Sequence, residues 1–155
     1  MEWNLKDHPH FPKPEDARGY LEQMSKIVFS AGLNWNVVNK KWPDIKSSFA
    51  DFAVAKVAKF DSSDVDKMLK DAKMIRSGGK INAVIKNARA ILDLEKEFGS
   101  FRSYFDKFNK DTVGLLKDLK KRFSYLGDST SVMFLYGVGE QSKELEKIMH
   151  DSHKK

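Results

Sequence analysis

The stretch from Leu115 to Gly139, LLKDLKKRFSYLGDSTSVMFLYGVG, holds the residues best suited to bind an anion. Leu115, Leu116 and Leu119 fall on one face of a helix, with Lys117, Lys120, Lys121 and Arg122 around it. A tight hairpin follows, in which Gly127 is expected to supply a positive φ, costly for residues carrying a Cβ. Asp128, Ser129 and Thr130 each suit the cap of a second helix, ahead of the apolar run Val132–Tyr136. Such a unit turns backbone N–H groups outward at a helix start, where an anion docks. With four cations beside it, a nucleic-acid phosphate is the natural ligand. The same residues also fit an ordinary helix–turn–helix corner of an all-α core.

Charge points the same way without naming a partner. The chain has 155 residues and a formal net charge of +6, which favours polyanions. From Arg76 to Arg89 it carries Arg76, Lys80, Lys86 and Arg89 with no acid among them. A positive face for nucleic acid and a merely solvated lysine-rich surface both fit. A hydrophobic content of 41% and a charged content of 32% describe one globular domain, 1–155. With no cysteine, disulfides and thiolate metal sites are excluded. No apolar run approaches the roughly 20 residues that span a bilayer, and MEWNLKDHPHFPKP lacks the apolar core of a signal peptide. A cytoplasmic monomer is expected, without a membrane association.

The elements that must position these residues read as helices throughout. Residues 1–14 form an irregular arm, with Pro9, Pro12 and Pro14 opposing a helix. Tyr20, Leu21, Met24, Ile27 and Val28 then recur at helical spacing up to a stop at Gly32. Asn34 is placed to cap a short helix through Trp35, Val37 and Val38, and Pro43 to open the next. Short helices follow near Val54–Lys59 and Ser63–Ala72, the latter capped by Ser62 or Ser63. The Ser77-Gly78-Gly79 turn feeds the longest helix, Lys80 to Phe98, striped by Ile81, Val84, Ile85, Ala88, Ile91 and Leu92. Gly99 stops it, and Ser100 caps a helix bearing Phe101, Tyr104 and Phe105. The helix-hairpin-helix, 115–139, and a polar C-terminal helix around Leu145, Ile148 and Met149 complete an all-α chain. No nucleophile–base constellation, Walker-type loop or metal-protease motif is present.

Four segments in order resemble the bacterial DNA-3-methyladenine glycosylase I family of the helix-hairpin-helix glycosylase superfamily. They are AGLNW (Ala31–Trp35), DVDKMLKDAKMIRSGGKINAVIKNARAIL (Asp64–Leu92), GSFRSYFDKF (Gly99–Phe108) and LKKRFSYLGDSTSVMFLYGVG (Leu119–Gly139). The resemblance implies a compact helical fold that grips duplex DNA, extrudes a damaged base and hydrolyses its N-glycosidic bond. It implies a phosphate held by the hairpin amides around Leu126, Gly127 and Asp128, with Lys80, Lys120, Lys121, Arg122, Tyr125, Ser129 and Thr130 at the DNA. Trp35 matches the tryptophan that stacks on the flipped base, with Asn34, Ile27 and Tyr136 about the same pocket. Stacking helps offset the cost of extrusion, a few kcal/mol.

The departures from the family pattern are specific. Aligning on AGLNW places Ile27 where the family has a pocket glutamate that reads the base. Glu22 sits on another side of the helix and does not replace it. The wider superfamily often uses an aspartate beyond the hairpin; the acids there are Glu140, Glu144 and Glu146, of which Glu140 and Glu144 are the catalytic candidates. Asp128 would repel a phosphate beside the turn. The family pins its termini with a zinc held by cysteine and histidine. The cysteines are missing, so no cofactor is expected, although His8, His10, His150 and His153 at the two ends make a histidine-only clasp conceivable. Two readings follow: an active glycosylase for alkylated bases such as 3-methyladenine, or a non-catalytic duplex-DNA binder that kept the hairpin and lost the pocket carboxylate. A protein-interaction role is the third.

Overall fold

A computed structural model describes residue 14 and residues 16–109, 111–140 and 143–153, with side chains up to residue 150. The described residues fold into helices joined by short turns: α1 (Ala17–Ser30), α2 (Trp35–Ser48), a 3-10 turn (Ala50–Phe52), α3 (Val54–Val57), α4 (Ser62–Lys70), α5 (Gly78–Phe98), α6 (Phe101–Lys107), α7 (Thr112–Arg122), α8 (Asp128–Gly137) and α9 (Lys143–His153). No strand occurs among them. The expected irregular arm and the ends of a histidine clasp, His8, His10 and the His153 side chain, lie outside this set. His150 is exposed on α9.

α1 is the axle of the fold, buried on nearly every side through Tyr20, Leu21, Met24, Ile27, Val28 and Phe29. α5 and α8 pack along it. α5 runs antiparallel to it, because Lys80 at the start of α5 reaches Phe29 and Ala31 at the end of α1. At the other end, Tyr20 stacks on Phe101 at 4.2 Å and meets Phe134 of α8 at 6.5 Å. Aromatic rings from α6 thereby close the base of the axle, where a phenyl face buries much area for little lost side-chain freedom.

Several expected boundaries move for identifiable reasons. α2 does not break at Pro43 but runs through it. A proline inside a helix costs about 3 kcal/mol; here the stripe Val38, Trp42 and Ile45 is buried by a continuous helix, and the Trp42 indole N–H donates to Glu22 at 3.0 Å. α4 is capped by Asp61 rather than by Ser62 or Ser63: its carboxylate takes the Ser63 and Asp64 N–H groups while Asp64 takes the Asp61 N–H. That reciprocal pairing satisfies donors a lone serine would leave open. α5 begins at Gly78, inside the expected turn, because Ser77 caps it through Lys80 N–H. Gly99, with φ of 93°, ends it as expected.

The hairpin also differs from its expected chemistry. Five residues, Phe123 to Gly127, join α7 to α8, but Gly127 has φ of −100°. The positive φ belongs to Tyr125, at 65°. Asp128, Ser129 and Thr130 are the first turn of α8 rather than its cap, and the Thr130 hydroxyl takes the N–H of Gly127, the capping position, at 2.7 Å.

Candidate nucleic-acid interface

The N-termini of α2, α5 and α8 are brought together around the C-terminal end of α1. Asn34, three residues beyond Ala31, caps α2 by accepting the Val37 N–H at 3.1 Å. Lys80, in the first turn of α5, donates its ammonium to the Phe29 carbonyl at 3.1 Å and to the Ala31 carbonyl. The hairpin reaches α5 through Tyr125, whose hydroxyl lies only 2.6 Å from where a Cβ on Gly79 would stand. Each helix start carries a partial positive charge of about half a unit. The opposing negative end, that of α1, is the one Lys80 covers. The result is a surface where three helix starts meet and the one helix C-terminus among them is covered by an ammonium group.

The hairpin is fixed to α5 by Asn87, a buried amide that accepts the Ser124 N–H at 2.7 Å and donates to the Ser124 carbonyl at 3.1 Å. Thr130 ties the turn internally, donating to the Tyr125 carbonyl at 3.1 Å. Gly127 N–H is therefore already engaged, and the groups that can meet a phosphate are those of the first turn of α8, which lack intrahelical acceptors. Ser129 is exposed there, while the Leu126 side chain is buried beneath the turn. Tyr125 is 48% exposed.

The cations assigned from sequence divide sharply. Lys121 is exposed. Lys120 pairs with Asp128 across the hairpin at 2.7 Å, so the acid beside the turn neutralises a lysine rather than standing alone. Arg122 is turned inward, with Asp118 at 2.5 Å and Glu97 at 3.0 Å, and its guanidinium covers the Phe98 and Tyr104 rings. Tyr104 donates to the same Asp118 at 2.5 Å, and burial followed by that carboxylate pushes its phenol far above the usual range. Arg122 and Lys80 thus hold helices together instead of facing solvent. Burial lowers the Lys80 pKa. Lys41 and Arg89 behave alike, donating to the Ala72 and Met74 carbonyls and to the Ala58 and Phe60 carbonyls. Arg76 is named in the sequence only as a member of the Arg76–Arg89 cation run. It is exposed and immediately precedes Ser77, the α5 cap.

Trp35 opens α2 at the corner, half-buried and packed against the core. Leu33 and Val37, two residues before and after it in sequence, have 38% and 42% of their surface exposed. Ile27 is 1% exposed and belongs to the core. Tyr136 is half-buried on α8. Glu140 and Glu144 lie elsewhere: they line a cavity of about 830 Å³ with Arg102, Phe105, Asp111 and Leu135. Glu140 is held there by Arg102 at 2.7 Å. That cavity lies toward the far end of α8, where Leu135 lines it, about 10 Å along the helix from the hairpin.

Residues 9–129 match the sequence pattern of the methyladenine glycosylase family. The chain belongs to that family. It is 30% identical over 148 residues to a DNA-3-methyladenine glycosylase of Haemophilus influenzae, covering 82% of this chain and 80% of that one. It is 29% identical to DNA-3-methyladenine glycosylase 1 of Escherichia coli, over 88% of each chain. A solved structure addressing 3-methyladenine recognition by the Staphylococcus aureus 3-methyladenine DNA glycosylase I superposes with a TM-score of 0.75 at 26% identity, over 88% of this chain and 83% of that one. The matched region takes in the corner, the start of α5 and the hairpin, the same elements that converge in the fold.

Proposed function

We propose that this methyladenine glycosylase family member acts as a monomer on duplex DNA, extruding an alkylated base and hydrolysing its N-glycosidic bond. The observation that carries the reading is the convergence of three helix N-termini and the hairpin beside a half-buried tryptophan. Phosphate is held at the first turn of α8, with Lys121 and Arg76 adding charge, which fixes the strand without reading its sequence. Trp35 offers an aromatic face to the extruded base, and Leu33 and Val37 supply apolar surface able to fill the gap left in the stack. Glu140, committed to Arg102 beyond the far end of α8, takes no part.

Release of free bases from methylated duplex DNA tests this directly. Wild type should release 3-methyladenine; Trp35→Ala should lose release while keeping salt-dependent duplex binding, and Glu140→Gln should keep both. Duplex binding without any release from wild type would leave the non-catalytic reading in its place.

A further inference from the structure

We infer that the end of α4 and the loop leading into α5 form a second strip for the DNA backbone, in which Lys67, Lys70 and Lys73, continuing from Arg76, hold phosphates outside the stretch gripped by the hairpin. The inference rests on the duplex-DNA reading above and widens its footprint. Between Lys67 and Leu92 the chain carries seven cations and one acid, Asp71. The fold sorts these cations. Lys80 and Arg89 turn to backbone carbonyls, and Lys86 is exposed on α5. Lys67, Lys70, Lys73 and Arg76, at intervals of three, are all exposed, and among the described residues none of the four is ion-paired. Asp71 accepts the Lys73 N–H at 2.9 Å, and Asp61 and Asp64 are taken up in the α4 capping box. Asp66 is the remaining acid of α4, and it is exposed.

The loop is joined to two elements of the proposed interface. Gly79, three residues after Arg76, stands against Tyr125 of the hairpin. Lys41 of α2 donates to the Ala72 and Met74 carbonyls at 3.2 and 3.4 Å. It lies six residues, about 9 Å along the helix, from Trp35. By filling the acceptors on either side of Lys73 in sequence, Lys41 also removes bare carbonyls that would oppose an approaching phosphate. Lysines near a helix end can serve the helix dipole instead, and Lys67 and Lys70 lie in the last turn of α4. That role does not extend to Lys73 or Arg76, which follow the helix. Exposed charges set at intervals along the chain suit a run of backbone phosphates, held without reading bases. Each phosphate so neutralised releases counterions and adds about 0.9 to the slope of log affinity against log salt.

The test measures duplex binding by the full chain across salt, from about 50 to about 200 mM. Wild type is compared with Lys70→Gln/Lys73→Gln and with Lys96→Gln/Lys147→Gln. Both pairs remove the same charge from exposed positions, the second from the far end of α5 and from α9. The first pair should bind more weakly and lower the slope by about two. Its fall in affinity over that salt range should then be roughly tenfold smaller than that of wild type. The second pair should keep the wild-type slope, and so should Lys70→Arg/Lys73→Arg. A wild-type slope in the first pair would overturn the inference; if its urea midpoint also fell, the lysines would belong to the α4 dipole. Equal loss of slope in both glutamine pairs would overturn it as well, since net charge alone would explain the binding. Wild type that shows no salt-sensitive duplex binding would remove the DNA reading itself, and the strip with it.

Discussion

Substituting Gly79 by alanine places a methyl group directly against the hairpin. The added Cβ would stand 2.6 Å from the Tyr125 hydroxyl, with the next ring atom at 3.7 Å. The first distance is inside van der Waals contact; the second is an ordinary contact. Tyr125 is 48% exposed, so its ring can swing outward, but it then loses its packing on the start of α5. Full burial of such a side chain stabilises by about 1.5–3 kcal/mol, so half-burial puts roughly 1 kcal/mol at risk. Alanine offsets part of this, because it is up to about 1 kcal/mol better than glycine within a helix and less so in a first turn. Gly79→Ala alone should therefore destabilise only slightly, by about 0.5 kcal/mol net of these opposing effects. Removing the hydroxyl separates them. In a Tyr125→Phe background the methyl has room, and Gly79→Ala should stabilise by about 0.5 kcal/mol. Urea unfolding of the four proteins gives the coupling, expected near 1 kcal/mol. Duplex affinity should follow, about fivefold weaker in Gly79→Ala and restored in the double variant. If alanine at 79 has the same effect with and without the hydroxyl, the hairpin does not rest on α5 through Tyr125 and the argument fails.

Four further outcomes test the assignments. Lys80→Met should cost about 1–2 kcal/mol in urea unfolding by stripping the carbonyls at the end of α1 of a charged donor, and leave the salt slope of DNA binding unchanged. Lys121→Ala should leave stability alone and reduce that slope by about one; the reverse pattern would exchange their roles. Ile27→Glu should destabilise by about 3 kcal/mol or more, since it buries a carboxyl. The loss should grow as pH rises above about 4.3, the unfolded value, because a buried carboxyl has its folded pKa raised and binds more protons than the unfolded chain. A variant as stable as wild type at pH 8 would show that position 27 opens onto a pocket. Finally, protein purified with zinc in excess and then desalted should hold well under one equivalent of metal by elemental analysis; a full equivalent, lost on His150→Ala, would establish the histidine clasp.

Much of the architecture was legible because apolar side chains at helical spacing leave few alternatives. Ile81, Val84, Ile85, Ala88 and Ile91 announced α5, and Gly99 its end. The misplaced boundaries share a cause. Pro43 reads as a break by local rules, and only the burial of Trp42 and Ile45 against partners remote in sequence shows why the helix continues. Residue type alone points to the hairpin glycine for the left-handed conformation, whereas packing against α5 places Tyr125 there instead. For a non-glycine residue such a conformation costs of order 1 kcal/mol or more and persists where the surroundings impose it. Here Asn87 on one side and Gly79 on the other supply that constraint.

The cations teach a more general lesson about reading a DNA-binding face from charge. A lysine in sequence is equally able to neutralise a phosphate, pair with an acid or donate to a carbonyl left open at a helix end. In this chain Lys41, Lys80 and Arg89 do the last, and Lys120 and Arg122 the second. Nothing within ten residues of Lys80 distinguishes it from Arg76; its carbonyl partners come from residues 29 and 31, across the fold. Yet covering those carbonyls serves the same surface, because an uncovered C-terminus of α1 would set a negative end among three positive ones. On the proposed reading Lys80 serves DNA binding through geometry and field rather than contact. That is why its loss should appear as lost stability and weakened binding with the salt slope intact, a combination that a phosphate-contacting lysine does not produce.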